Sequence, residues 1–302
     1  MDGRQVPGTG SPVAHVISEA VIGWYGEHAR DLPWRGAGVD PWAVMVSEFM
    51  LQQTPVARVL PVFTAWMAKW PSPPDLATDS SGEAVRMWGK LGYPRRALRL
   101  HAAATAITEG HGGGVPRSVE ALKALPGVGD YTAAAIAAFA YGQRVGVVDT
   151  NVRRVVHRAV LGAADAGPST TKTDFVVTES LLPHDPPRAA RLSIALMELG
   201  ALVCTAASPS CERCPIEAEC AWVRAGRPAY TGKAKRVQRF AGTDRQVRGL
   251  LMDVLRDNEM AVTKAELDVV WHDDGQRERA LDGLLRDGLV TIVDDGMFAL
   301  AG

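Results

Sequence analysis

The chain has 302 residues, 47% of them apolar, enough to bury a sizeable core and of a length that suits about two domains. Its 33 Lys and Arg nearly cancel its 34 Asp and Glu, which excludes a globally basic nucleic-acid binder and leaves any such affinity to local patches. The opening residues carry no apolar h-region and no run approaches ~18 uninterrupted apolar residues, so we expect a soluble cytoplasmic monomer with no membrane partner.

Residues 1–14 read as a disordered tail. His15–Arg30 has the spacing of an amphipathic helix, with Val16, Ile17, Ala20, Val21 and Trp24 on one side, and the segment LPWRG containing Arg35 follows as a loop. In the next helix, Trp42–Gln53, nearly everything is apolar except Ser47, Glu48, Gln52 and Gln53, and Glu48 and Gln52 stand one turn apart on the same face. A glutamate in such surroundings is desolvated, which raises its pKa and suits a general acid near neutral pH. The alternative is a solvated Glu on the outer face. Beyond a loop rich in Pro, Ser and Asp, Arg86, Lys90, Arg95, Arg96 and Arg99 gather around the Gly92-Tyr93 turn. They form either a solvated face or a stacking wedge on DNA.

The stretch from Leu125 to Asn151, LPGVGDYTAAAIAAFAYGQRVGVVDTN, joins a glycine turn to a carboxylate through an almost uncharged segment. Gly127, Val128 and Gly129 separate two helices, and the amides opening the second helix, with its positive dipole end, can hold one backbone phosphate. An ordinary tight connection between helices remains the alternative. Tyr131 either buries its ring at the start of the Ala-rich helix or offers its phenol as a hydrogen-bond donor beside Asp149. Asp149 precedes a helix opened by Thr150 and Asn151, so it reads as an N-cap, a carboxylate facing a developing cation, or both.

Ser169–Pro209 continues helical, with Glu198 in an otherwise apolar stretch. All four cysteines follow in one segment, Cys204, Cys211, Cys214 and Cys220, separated by six, two and five residues. A metal centre explains this clustering better than disulfides do, and two separated Cys-x-x-Cys zinc knuckles are not what the spacing shows. From Ala221 to Arg248 there are eight basic residues and one acidic residue, a linker (223–244) that lies along a phosphate backbone or stays solvated. The last stretch, 245–302, reads as a small winged-helix-like unit: a helix over 245–257, one opened by a Thr263–Glu266 capping box, one near 276–287, and a hairpin with an Asp-Gly turn. Gly249–Gly302 carries twelve acidic and five basic residues, so this unit is not assigned to DNA.

The order LPGVGxYTA, then VxVVDTNVxRV, then four cysteines resembles the helix-hairpin-helix DNA glycosylases that carry an iron–sulfur cluster. SEFMLQQTPV narrows that resemblance to the MutY-type adenine glycosylases, over roughly Ile17–Trp222. The resemblance implies a mainly α, two-lobed core over 15–222, with a six-helix lobe at about 42–148 and an iron–sulfur lobe made of the N-terminal helix and about 149–222. It implies removal of adenine mispaired with 8-oxoguanine or guanine in double-stranded DNA, in base excision repair, by a cytoplasmic, nucleoid-associated enzyme. Glu48 would protonate the adenine, Asp149 held by Asn151 would stabilise the cationic sugar, and Tyr131 replaces the lysine nucleophile of endonuclease III-like enzymes. Arg35 and Glu198 would contact the extruded base, Gln52 with Gln53 would fill the gap it leaves, and Tyr93 would lie next to the damaged guanine. Gly127, Val128 and Gly129 would hold phosphate, and Cys204, Cys211, Cys214 and Cys220 would ligate a 4Fe–4S cluster.

Four departures from the family pattern stand out. Only 82 residues follow Cys220 and they do not resemble the Nudix-like domain of many members, so damage recognition is expected to be weaker or built differently. Pro94 replaces a frequent second tyrosine, Asp130 puts a negative charge beside the phosphate turn, and Thr150 stands where adenine glycosylases often have Gly. Three other readings stay open: a thymine or uracil mismatch glycosylase, an endonuclease III-like lyase, and a non-enzymatic iron–sulfur DNA-binding protein.

Overall fold

A computed structural model describes residues 11–36, 38–232 and 239–302; residues 1–10 of the expected tail 1–14 and residues 233–238 of the basic linker lie outside the described residues, whereas residues 12–14 belong to the first helix and not to a tail. The helices in chain order are α1 (Pro12–His28), α2 (Pro41–Leu51), α3 (Val56–Lys69), α4 (Pro73–Thr78), α5 (Ser81–Trp88), α6 (Arg95–Gly110), α7 (Val119–Lys123), α8 (Asp130–Tyr141), α9 (Thr150–Ala159) and α10 (Lys172–Leu181). They continue with α11 (Pro186–Leu202), α12 (Ala221–Arg224), α13 (Asp244–Asp257), α14 (Lys264–Asp268) and α15 (Asp274–Arg286), then the strands β1 (Val290–Ile292) and β2 (Phe298–Leu300). The protein is mainly α, and among the described residues there is one two-stranded antiparallel sheet, in register Val290 to Leu300. Among the described residues no helix is long and apolar enough to cross a membrane.

Two compact units emerge. The described residues of 11–44, 117–123 and 128–232 form the first, and those of 45–116, 124–127 and 239–302 the second. In the first, α1 buries Ala14, Ile17, Val21 and Tyr25 against valines of α9 and leucines of α11. The expected inner face of that helix is therefore turned by a residue, and Val16 is exposed. The helix also starts three residues earlier than its apolar spacing suggests, because Ser11 caps it by accepting the Ala14 N–H at 3.2 Å and Pro12 takes the first position. Helix α8 belongs here, not with the 42–148 lobe of the sequence reading, because Ala134, Ala135 and Ala138 pack with Val147 and with Ala190 of α11. Alanines on that face let the backbones of α8 and α11 approach closely.

In the second unit, three tryptophans, Trp66, Trp70 and Trp88, meet edge to face at ring separations of 4.6 and 5.8 Å behind α3 and α5. The C-terminal elements pack onto this unit instead of standing apart. Arg86 of α5 donates to the carbonyls of Leu255, Arg256 and Asn258 at the end of α13. Ser81 Oγ donates to the Ala301 carbonyl at 2.8 Å. A Cβ at Gly82 would come within 3.1 Å of that same oxygen, so a side chain there would make the last residues give way by a few tenths of an ångström. The capping box forms as expected, with the Thr263 N–H donating to Glu266 at 2.7 Å and the Glu266 N–H to Thr263 at 3.3 Å.

Candidate active site

Helix α2 ends at Leu51, two residues earlier than its sequence pattern predicts, so Gln52 follows directly on the last helical residue and Gln53 leaves the helix. Arg96 of α6 causes this. Buried at 5% exposure, its guanidinium donates to the carbonyls of Phe49, Met50 and Gln52 at 2.8, 3.0 and 2.7 Å, to Thr54 Oγ1 at 3.0 Å and to the Gly92 carbonyl at 3.1 Å. A fixed cation takes up the negative end of the helix and turns the chain out. Burial without a carboxylate pulls its pKa down to about 10. The two segments tied by Arg96 each carry a non-glycine residue in the left-handed region, Gln53 at φ 56° and Tyr93 at φ 49°. Such backbone costs on the order of 1 kcal/mol or more and persists where neighbours enforce it. Tyr93 stands 51% exposed on its turn, whereas Glu48 is 3% exposed inside α2. The solvated alternative for Glu48 is thereby removed.

The glycine turn separates into two cases. Gly127 has φ 77°, and a Cβ there would sit 2.6 Å from Arg99 Cβ. Gly129, expected to turn sharply as well, is instead extended as the N-cap of α8, with no capping side chain, and a Cβ there would meet nothing within 4 Å. Nothing inside the protein demands glycine at 129, and its absent side chain leaves the backbone open to a ligand that comes close. Asp130, the negative residue beside this turn, pairs with Lys123 at 2.6 Å. Gly127→Ala should lower stability by about 1–3 kcal/mol in thermal melts. Gly129→Ala should melt like the parent yet lose roughly tenfold in affinity for duplex DNA by fluorescence anisotropy; unchanged affinity would remove the turn from the DNA contacts.

In the first unit Asp149 caps α9, accepting the Val152 N–H at 2.6 Å, while Asn151 Nδ2 donates to its other oxygen at 2.9 Å. Cap and oriented carboxylate thus coexist. Burial pushes the Asp149 carboxyl above its ordinary value, against the lowering pull of the Val152 and Asn151 donors and of Arg154. Arg154, which the sequence reading missed, donates to Asn151 Oδ1 at 2.8 Å, to the Gly200 carbonyl at 2.6 Å and to the Cys204 carbonyl at 2.6 Å. Gly200 is required at that crossing, since a Cβ would lie 2.7 Å from Asn151 Cβ. Tyr131 packs, half-buried, against the small cluster of α8, Val147 and Ala190.

Glu198 is 1% exposed and both its oxygens are held by Arg30, through Nε at 2.6 Å and Nη2 at 2.7 Å, with the Arg30 N–H at 3.2 Å. Burial alone would raise its pKa, but Arg30 and Arg35 outweigh it and hold the carboxylate below its ordinary range. Its direct role in this structure is to clamp the loop that bears Arg35, whose guanidinium lies 4.0 Å from it and 5.8 Å above the Phe139 ring. Arg30 has no motif around it; only its sequence position ahead of LPWR could have pointed to it.

Cys204, Cys211, Cys214 and Cys220 all carry free thiols and line one small cavity with Arg158, Glu217 and Trp222. Arg158 Nη1 approaches Cys204 Sγ at 3.4 Å and its guanidinium stacks 4.7 Å from the Trp222 ring. Burial pushes the Cys214 thiol up to about 12, and its three neighbours add to the rise. Burial raises the Cys211 and Cys220 thiols as well, and four sulfurs around one space fit a positively charged inorganic group that binds them together. Among the described residues no three metal-ligating side chains converge closely enough to hold a single ion, so the fit rests on the cavity that the four sulfurs share.

The chain is similar to known DNA repair proteins. A family model described as the HhH-GPD superfamily base excision DNA repair protein matches residues 46–179. The chain is 56% identical over 289 residues to an adenine DNA glycosylase of Mycobacterium tuberculosis (strain CDC 1551 / Oshkosh), covering 95% of this chain and 94% of that one. It is 58% identical over 283 residues to an adenine DNA glycosylase of Mycolicibacterium smegmatis, covering 93% and 95%. These matches take in most of 245–302. A solved thermostable thymine-DNA glycosylase superposes with a TM-score of 0.63 at 27% identity, over 70% of this chain and 97% of that chain.

Proposed function

The chain belongs to the adenine DNA glycosylase family of the HhH-GPD superfamily of base excision DNA repair proteins, and from that premise we propose that it hydrolyses the N-glycosidic bond of adenine mispaired with 8-oxoguanine or guanine in duplex DNA. The observation that carries the reading furthest is Asp149, a half-buried carboxylate fixed at both oxygens by the Val152 N–H and Asn151. A carboxylate held in a poorly solvated setting stabilises a cation that develops beside it more than one in water does, by typically ~3–4 kcal/mol. Extrusion of the adenine costs a few kcal/mol and is cheapest at a mispair. Glu48 then donates its proton to N7, the base leaves neutral, and the Glu48 carboxylate activates the water that attacks the sugar. Gln52 fills the gap with Gln53 beside it on the substrate, Tyr93 lies next to the opposite guanine, and Arg35, placed by Glu198, lines the base pocket.

The four cysteines would hold a 4Fe–4S cluster, whose chemistry here is to cross-link residues 204–220. The protein as isolated should then be brown, absorb broadly near ~400 nm and contain about four irons per chain; a colourless, zinc-loaded protein would be incompatible with this. Cys204→Ser should lower iron content and duplex affinity together, because losing one sulfur ligand loosens the 204–220 segment whose backbone Arg154 holds.

Tyr131 makes the reaction monofunctional, since a phenol cannot form the imine through which a lysine amine drives strand cleavage. Borohydride should trap little protein–DNA adduct, and strand breaks should appear only after alkali. Tyr131→Lys should gain trappable adduct while base release persists. Strong trapping by the parent protein would favour a lyase.

A single-turnover assay on duplexes containing A·8-oxoguanine, A·G, T·G and U·G tests the whole reading. Adenine should be released from the first two and no base from the others; release of thymine or uracil instead would replace this function with a mismatch pyrimidine activity.

A further inference from the structure

The second unit contains a cavity of about 760 Å³ that none of the proposed catalytic residues enters. One wall is the wedge segment, Gln52, Gln53 and the turn at Tyr93; the other is α13 with the end of α15. Eight basic side chains line it against two carboxylates, Asp253 and Asp287. The carboxylates are already engaged, Asp253 with Lys90 at 3.2 Å and Asp287 with Arg95 at 3.3 Å and Arg248 at 2.5 Å. Arg58 and Arg99, both exposed, have no carboxylate partner among the described residues, and Arg245 stands on the same cavity from the first turn of α13.

Two further features mark this cavity as a place where something docks. Both left-handed non-glycine residues of the wedge, Gln53 and Tyr93, open onto it. Gly249, in the middle of α13, also lines it, and a Cβ there would meet nothing within 4 Å. Glycine inside a helix costs about 1 kcal/mol relative to alanine, and no packing inside the protein explains it. It keeps the helix surface low on the side that faces the open space.

The geometry points to a phosphodiester-binding groove shared by the wedge and the C-terminal unit: Arg58, Arg99 and Arg245 grip the DNA backbone beside the mispair. This rests on the proposed function, which places Gln52, Gln53 and Tyr93 in the duplex. Composition divided the groove, because Arg245 and Arg248 of α13 fall in the basic stretch 221–248 whereas the acidic excess is counted from residue 249 onward. Each phosphate neutralised releases condensed counterions, so binding there must show in the salt dependence.

The test is equilibrium binding of the full, cluster-loaded chain to a plain duplex and to an A·G duplex across salt concentrations, with adenine release followed on the same preparations. The double variant Arg58→Ala, Arg245→Ala should bind both duplexes roughly tenfold more weakly near ~0.1 M salt and lower the slope of log K against log salt by about 1.8, some 0.9 for each phosphate. Arg58→Lys, Arg245→Lys should restore the slope. Arg279→Ala, which removes an exposed charge of α15 outside the cavity, should change neither. If the double variant keeps the parent slope while the parent releases adenine, the groove is refuted; an equal loss in Arg279→Ala would refute it too. If the slope falls as expected but no adenine is released, the groove stands and the proposed activity fails.

Discussion

Glu48→Gln should bind an A·G duplex as tightly as the parent and excise adenine slower by several orders of magnitude. An amide is nearly the same size as the carboxyl it replaces at a site 3% exposed, so the packing of α2 survives. It cannot donate an acidic proton or accept one from water, so both proposed duties of Glu48 are lost together. A rate within about tenfold of the parent, ~1.4 kcal/mol of barrier, would remove Glu48 from the chemistry. Asp149→Asn is the companion. The amide can still cap α9, but the charge is gone, so excision should again collapse. Stability should move the other way. A folded-state pKa raised above the unfolded value means that the ionised carboxylate costs stability once the pH exceeds the unfolded value near ~4. At neutral pH the Asp149→Asn variant should therefore melt no lower than the parent, a combination that a purely structural Asp149 would not produce.

Arg96→Met should be the most damaging substitution outside the chemistry, lowering stability by about 3–5 kcal/mol. Methionine fills the aliphatic path of the arginine but leaves three carbonyls at the end of α2, Thr54 Oγ1 and the Gly92 carbonyl without their donor. Each buried acceptor left unsatisfied costs roughly 1–3 kcal/mol, offset in part by relief of burying a cation that no carboxylate neutralises. Gln53 and Tyr93 would lose the anchor that holds them in left-handed backbone, so mispair affinity should fall further than plain-duplex affinity. Thermal melting and anisotropy on both duplexes check the two parts. A melting point within a few degrees of the parent would show that water or local rearrangement satisfies those acceptors.

The parts of this protein that its sequence determined by itself are those whose partners are close in the chain. Asp149 caps α9 through the N–H three residues on, Thr263 and Glu266 cap each other across the same spacing, and four cysteines within seventeen residues meet around one cavity whatever else the chain does. The glycine turn, the absence of a lysine at Tyr131 and the mainly helical class belong to the same group, since local geometry and periodicity carry them. Tertiary structure decided where the buried arginines go. Arg96 reaches α2 from more than forty residues away, Arg30 meets Glu198 across 168, Arg154 ties Asn151 to Gly200 and Cys204, and Arg86 pins α13 to α5 across about 170. A guanidinium on a surface and one buried among helix-end carbonyls look identical in a sequence, because carbonyl acceptors belong to every residue and leave no side-chain pattern to read. For the same reason the early end of α2, the place of α8 and the basic groove between the wedge and α13 emerge only when helices are packed and each donor has found its acceptor.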